Sequence, residues 1–161
     1  MFLLSVFVSE DKSGSKENLG WRKFTVFFVG RLIETKGILI ILKMTRSLNR
    51  KIQIVIAGDG PLREEVKRVQ AKIPNLTYLG RIENENLPAY YSAADLVLVP
   101  SLVDEGWGFV AMEAISCGTP VLASRVGGLS DVVTSEVGKL ITPNANDFKK
   151  WIEYFFKHKE K

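Results

Sequence analysis

Residues 52–79 read IQIVIAGDGPLREEVKRVQAKIPNLTYL. The stretch opens on Ile52–Ala57, a nearly continuous apolar run with little alternation. Strands buried on both faces look like that, and burial on both faces requires helices on each side of the sheet. Asp59-Gly60-Pro61 then opens a helical pattern over residues 61–72, with proline at or near its first turn. Leu76–Leu79 is a second β-rich run. Strand, helix and strand in this order argue for a parallel sheet.

The same alternation extends outward in both directions. Further β-rich runs lie at Phe24–Val29, Leu96–Val99 and Val121–Ala123, and a weaker one at Gly138–Ile141. Helical patterns fall near 37–48, 85–93, 108–117 and 145–158, with Asn84 or Glu83 placed to cap the third helix. The expected fold is α/β, a doubly wound, Rossmann-like parallel sheet of about six strands. Gly30, Gly58, Gly60, Gly80, Gly106, Gly108, Gly127 and Gly128 all follow predicted strands. That is the edge where open α/β sheets bind ligands.

Residues 9–20, SEDKSGSKENLG, are polar and read as a flexible loop. The opening Met1–Val8 is apolar but far short of the about 20 residues of a membrane span. It also lacks the basic start of a signal peptide, so an N-terminal strand or a stub left by truncation is expected there. Residues 1–20 are thus expected to be an N-terminal segment and 21–161 one Rossmann-like domain. In the tail, Trp151, Tyr154, Phe155 and Phe156 are expected to pack on the sheet.

Composition narrows the function classes. The 161 residues are 46% hydrophobic and 25% charged, the balance of a globular chain. Twenty-two Lys and Arg against 18 Asp and Glu leave +4, without a dense basic tract, so no nucleic-acid partner is expected. No integral membrane segment is expected either, and a cytoplasmic location is. One cysteine, Cys117, excludes internal disulfides, and one histidine, His158 in the charged tail, leaves little for a zinc site or a catalytic triad. No G-x-x-x-x-G-K-[ST] occurs, and Gly58-Asp59-Gly60 lacks the third glycine of a dinucleotide fingerprint, Arg63 standing in its place.

Three segments carry chemistry. GRLIETKG, residues 30–37, sets Arg31 and Lys36 between a strand and a helix start. A guanidinium grips phosphate oxygens bidentately, an ammonium adds a point charge, and a helix N-terminus is partly positive. A diphosphate suits that arrangement, although the octet alone also reads as a solvated loop with two surface cations. The second segment, PSLVDEGWGFVAMEA, residues 100–114, has Glu105 ahead of a helix and Glu113 on its second turn. Spaced eight apart, they face different parts of one ligand. Carboxylates accept hydrogen bonds from sugar hydroxyls, and amides from Gly106 to Phe109 lie free to hold phosphate. The plainer alternative makes Glu105 a partner of the helix dipole and Glu113 a surface acid. The third, SRVGGLSD, residues 124–131, has a Gly-Gly pair before a short helix, a weak anion-binding turn.

Together, GRLIETKG, IAGDGPLREEV, YLGRI, PSLVDEGWGFVAMEAISCGTPVLAS and VGGLSD resemble the C-terminal half of glycosyltransferase family 4, a retaining group with the GT-B fold. The resemblance covers about residues 24–158, and the run from Glu105 to Pro120 carries most of it. It implies that this half binds a nucleoside-diphosphate sugar as substrate, with no cofactor and no metal. Gly30 would line the donor site, Arg31 and Lys36 would hold the diphosphate, Glu105 the transferred sugar and Glu113 the ribose. Backbone around Arg81 and Ile82 would meet the base, and Gly106, Trp107, Gly108 and Phe109 the sugar and phosphates. Arg31, Lys36 and Glu105 would act in catalysis. Trp107 stands where the family more often has phenylalanine, and Asp131 where it often has glutamate.

GT-B enzymes pair two such domains, and too few residues precede Phe24 for the acceptor-binding one. The expected partners are therefore the donor and a separate acceptor-domain chain, or a second copy through self-association. The expected function is sugar transfer from a nucleotide sugar to an unspecified acceptor, inactive without that domain. A stand-alone nucleotide or nucleotide-sugar binder is the alternative, and half of a GT-B epimerase a weaker one.

Overall fold

The computed structural model describes residues 7–159. The first residues of the apolar opening lie outside them, as does the end of the tail. Chain order runs α1 (Lys12–Leu19), β1 (Phe24–Val29), α2 (Ile38–Thr45), β2 (Ile52–Ala57), α3 (Arg63–Gln70), β3 (Leu76–Gly80) and α4 (Leu87–Ala93). It continues β4 (Leu96–Val99), α5 (Phe109–Ser116), β5 (Val121–Ser124), α6 (Leu129–Val132), β6 (Gly138–Ile141) and α7 (Ala145–Lys157). Six strands form one sheet in the order β3-β2-β1-β4-β5-β6, every pair parallel. The fold is the expected doubly wound α/β sheet.

The apolar runs lack alternation because successive residues enter two cores. Val26, Phe28, Ile54, Ile56, Leu96 and Leu98 face one way, against Ile41 of α2, Val66 of α3 and Phe148 and Ile152 of α7. Phe27, Val55, Val97, Val121 and Ala123 face the other way, against Tyr91 of α4, Ala111 and Ala114 of α5 and Leu129 of α6. Strand order reverses between β1 and β4, and the carboxyl ends of the strands at such a switch point are the usual ligand position in open α/β sheets.

Residues 9–20 are not a loop. Lys12–Leu19 is a helix, capped by the Asp11 carboxylate, which accepts from the Gly14 amide at 2.8 Å. Gly20 ends it in the left-handed conformation. Lys16 and Lys12 pair with Asp95 at 2.6 and 3.3 Å, and the same carboxylate accepts from the Thr25 amide at 2.8 Å. The segment has no apolar periodicity, so its caps and a charge clamp make the helix instead. Smaller differences occur elsewhere. α3 begins at Arg63, after Pro61. A 3-10 turn at Asn84–Asn86 leads into α4, and neither Glu83 nor Asn84 caps it through a side chain. Trp151, Phe155 and Phe156 pack on the first core as expected, but Tyr154 is exposed and stacks on His158.

Candidate functional site

The loop after β1 is tied to the end of β2: the Gly30 amide donates to the Ala57 carbonyl (3.1 Å) and the Leu32 amide to that of Asp59 (2.9 Å). Between them Arg31 is exposed and makes no ion pair among the described residues. A 3-10 turn over Glu34–Lys36 ends at Gly37, whose φ of 82° suits glycine, and α2 starts from it. A Cβ there would come within 2.0 Å of the Pro100 carbonyl oxygen. The Leu102 amide also donates to the Thr35 carbonyl at 2.9 Å. The loops after β1 and β4 therefore touch across the strand-order reversal. Gly37→Ala combines left-handed strain with this clash and is expected to cost about 3 kcal/mol, roughly 10 °C in melting temperature. An unchanged thermal transition would contradict the close packing of the two loops.

That contact brings Lys36 to Glu105. The ammonium lies 2.9 Å from Oε1 and 2.8 Å from Oε2, and the Ser101 hydroxyl also reaches Oε1. An ammonium has three donors and a carboxylate about four acceptor positions. One N–H of Lys36 and one lone-pair direction on Oε2 thus remain for a ligand. The glutamate is largely buried, with 12% of its side chain exposed, and Lys36 is more open.

Asp104, next along the chain, was not singled out by its sequence. Its carboxylate accepts from the Gly106 amide at 2.8 Å and the Gly128 amide at 3.2 Å. The Gly106 amide, then that of Gly128, holds its carboxyl below the usual range. Gly128 approaches Gly106 so closely that a Cβ would sit 1.8 Å from the Gly106 carbonyl oxygen. The Gly-Gly turn does bind an anion, but the anion is this internal carboxylate. Asp followed two residues later by Gly is an Asx-turn signal that sequence could have offered.

The amides at the start of α5 are only partly free. Gly106 donates to Asp104, and Gly108 to the Glu105 carbonyl at 3.4 Å. Those of Trp107 and Phe109 have no acceptor among the described residues. Trp107 is 75% exposed, beside exposed Phe109, Leu102 and Val103. Glu113 is no surface acid: it is half-buried, and the Tyr91 hydroxyl donates to its Oε2 at 2.7 Å. Burial pushes its carboxyl up, and the Tyr91 bond partly offsets that. The two glutamates are thus held by different partners, as their spacing requires.

Arg81 and Ile82 follow β3, near a cleft of about 340 Å³ lined by Arg81, Gly80, Tyr78, Asp59 and Arg63. Arg81 is exposed and Ile82 partly packed on the second core. The Tyr78 hydroxyl donates to the Gly58 carbonyl at 2.6 Å, fixing the neighbouring end of β2. Among the described residues no group of three His, Cys, Asp or Glu is close enough to hold a metal ion. No described helix is long and apolar enough to cross a membrane.

A parallel sheet with glycine-rich loops joined over its switch point is the architecture of one Rossmann-like half of a GT-B protein. Residues 9–161 match the family of glycosyl transferases group 1, and the chain belongs to that family. It is 34% identical over 150 residues to an uncharacterized glycosyltransferase of Methanocaldococcus jannaschii, covering 88% of this chain and 38% of that one. Sucrose-phosphate synthase from Thermosynechococcus elongatus superimposes with a TM-score of 0.82 at 31% identity, over 96% of this chain and 41% of that chain. The Anabaena HepE protein in complex with UDP-glucose superimposes with a TM-score of 0.83 at 24% identity, over 98% and 46%. The chain therefore spans less than half the length of these relatives.

Proposed function

We propose that this chain is the donor-binding half of a retaining glycosyltransferase, taking a nucleoside-diphosphate sugar as substrate. The observation that carries the reading is the joining of the loops after β1 and β4, which sets Lys36 on Glu105 and leaves Arg31, earlier in the same β1 loop, exposed. In this reading the diphosphate lies between Arg31, the free N–H of Lys36 and the amides of Trp107 and Phe109. The transferred sugar gives a hydroxyl to Glu105, the ribose is gripped by Glu113, and the base meets backbone near Arg81 and Ile82.

The chemistry follows from where charge moves. As the bond from the sugar C1 to the diphosphate oxygen breaks, negative charge gathers on the leaving diphosphate. Cations and amides already aimed there stabilise it without reorganising, which lowers the barrier. The reading asks no metal of these residues, because Arg31, Lys36 and the α5 amides supply the positive charge. The reading places the chain in the cytoplasm. HepE, the structural relative, was solved with UDP-glucose.

A panel of UDP, GDP, ADP and their glucose conjugates, scanned by thermal shift, tests the reading. One nucleotide series is expected to raise the melting temperature, and no shift by any of them at millimolar concentration would overturn it. The polypeptide alone is expected to bind nucleoside diphosphate weakly and to transfer no sugar, since its relatives are more than twice its length. The check is a radiolabelled-donor assay with and without a separate acceptor domain. Robust turnover by this chain alone would contradict the second expectation.

A further inference from the structure

Glu113 raises a question that donor binding alone leaves open. It is a half-buried carboxylate with no Lys or Arg within 4 Å among the described residues. Burying a charge without a cation is costly, and an unpaired acid of this kind is characteristic of a site where function requires it. What holds it is a single hydrogen bond from Tyr91, across the contact between α4 and α5.

Tyr91 is built to aim that bond. Its side chain is completely buried. The ring meets Phe7 edge-on at 5.8 Å and 66°, and Phe27 at 5.8 Å and 73°. Its carbonyl accepts from the Thr119 hydroxyl at 2.5 Å, so the backbone beneath the ring is fixed as well. A buried phenol with a locked ring has its oxygen fixed in place, and here the hydroxyl donates to Glu113 Oε2 at 2.7 Å. Glu113 Oε1 has no hydrogen-bond partner among the described residues. Glu113 lies four residues after Phe109, about 6 Å further along α5, the step from a diphosphate at the helix start to the ribose that carries it.

We propose that Tyr91 is a positioning residue for nucleotide recognition: its hydroxyl holds one oxygen of Glu113 so that the other is presented to the ribose hydroxyls. The inference rests on the donor-binding reading. An ionised carboxylate accepts from both hydroxyls of a ribose, whereas its protonated form gives up an acceptor position. The titratable groups around Glu113 are Tyr91 from α4 and Cys117, the cap one turn on at the end of α5, which in turn faces Glu10 ahead of α1. Burial holds the Cys117 thiol up at about 11, so it stays uncharged near neutrality. Tyr91 is raised well above its ordinary range, first by burial and then by Glu113, and remains a donor.

The sign of the pH effect follows. Burial raises the Glu113 carboxyl and the Tyr91 bond lowers it, so Tyr91→Phe raises it further. Ribonucleotide binding requires the ionised form, and in the variant it should fail at a higher pH.

The test uses titration calorimetry with whichever of UDP, GDP and ADP binds the wild-type chain most tightly, and with its 2′,3′-dideoxy counterpart. Tyr91→Phe removes one hydroxyl and leaves the ring packing in place. It is expected to weaken the ribonucleotide about tenfold and leave the dideoxy nucleotide unchanged, with the pH midpoint of ribonucleotide binding moved upward. In a Glu113→Gln background, Tyr91→Phe should have no further selective effect. Equal loss for both nucleotides, or no loss, would overturn the positioning role while the donor reading stands. A wild type that binds none of the three overturns the donor reading, and the positioning role with it. Should the variant fold poorly, wild-type chain labelled at tyrosine Cζ answers instead. The Tyr91 resonance should follow the Glu113 titration and shift with the ribonucleotide alone; a Tyr91 resonance blind to both would overturn the proposal.

Discussion

Replacing Arg31 and Lys36 together with alanine is expected to weaken nucleoside-diphosphate binding by about a hundredfold or more. Each charge-assisted hydrogen bond to phosphate contributes about 1.5–3 kcal/mol, so losing one from each cation exceeds about 3 kcal/mol. The two residues should not contribute equally. Arg31 makes no ion pair among the described residues, so removing it deletes a cation and little else. Lys36 neutralises Glu105, and removing it leaves a largely buried carboxylate beside the incoming phosphates. Lys36→Ala should therefore be the more damaging single change, and adding Glu105→Gln should recover part of its loss. Calorimetric titration of UDP and GDP reads this directly, and unchanged affinity in the double variant would refute the phosphate assignment.

Glu113→Ala is expected to produce a loss of about thirtyfold of a different kind. It removes the acceptor for the ribose hydroxyls and touches nothing at the phosphate loops, because Glu113 is held from α4 by Tyr91. A charge-assisted bond lost at a desolvated position is worth about 2 kcal/mol. The contrast is best read with inorganic pyrophosphate, which has no ribose. Pyrophosphate competition should survive Glu113→Ala and vanish in the Arg31/Lys36 double variant. A pyrophosphate site that fails equally in both would mean that Glu113 acts through the fold and not through the ribose.

The sheet was largely legible in the sequence, for a physical reason. Runs such as Ile52–Ala57 enter two cores at once, and few other structures tolerate five apolar residues in a stretch of six with glycine immediately after. α1 was not legible because its stability comes from elsewhere. Asp11 and Gly20 cap it, and Asp95, far along the chain, clamps it through Lys12 and Lys16. A pattern search sees KSGSKENL as loop, since no apolar stripe marks one side of it.

The candidate site was legible by residue but not by partner. Arg31, Lys36 and Glu105 stand out as charges beside glycines, and Glu113 by its place eight residues after Glu105, yet nothing in their spacing says that Lys36 meets Glu105. That contact depends on Gly37 allowing the loops after β1 and β4 to close, a tertiary fact. Tyr91 and Asp104 were missed for opposite reasons. Tyr91 sits in an apolar stretch and looks like core, which its ring is; only its hydroxyl reaches the site. Asp104 looks like a loop acid, and only the fold reveals that it ties two glycine turns together.

The central claim is that the loops after β1 and β4, with the start of α5, form one diphosphate-sugar donor site. Its most direct test is an amide-resolved NMR titration of this chain with UDP, GDP and ADP. One nucleotide is expected to shift the amides of Gly30, Arg31, Trp107, Phe109 and Glu113 together, along one saturation curve, and to leave α7 unmoved. No shift with any nucleotide at millimolar concentration, or shifts confined to another surface, would contradict it.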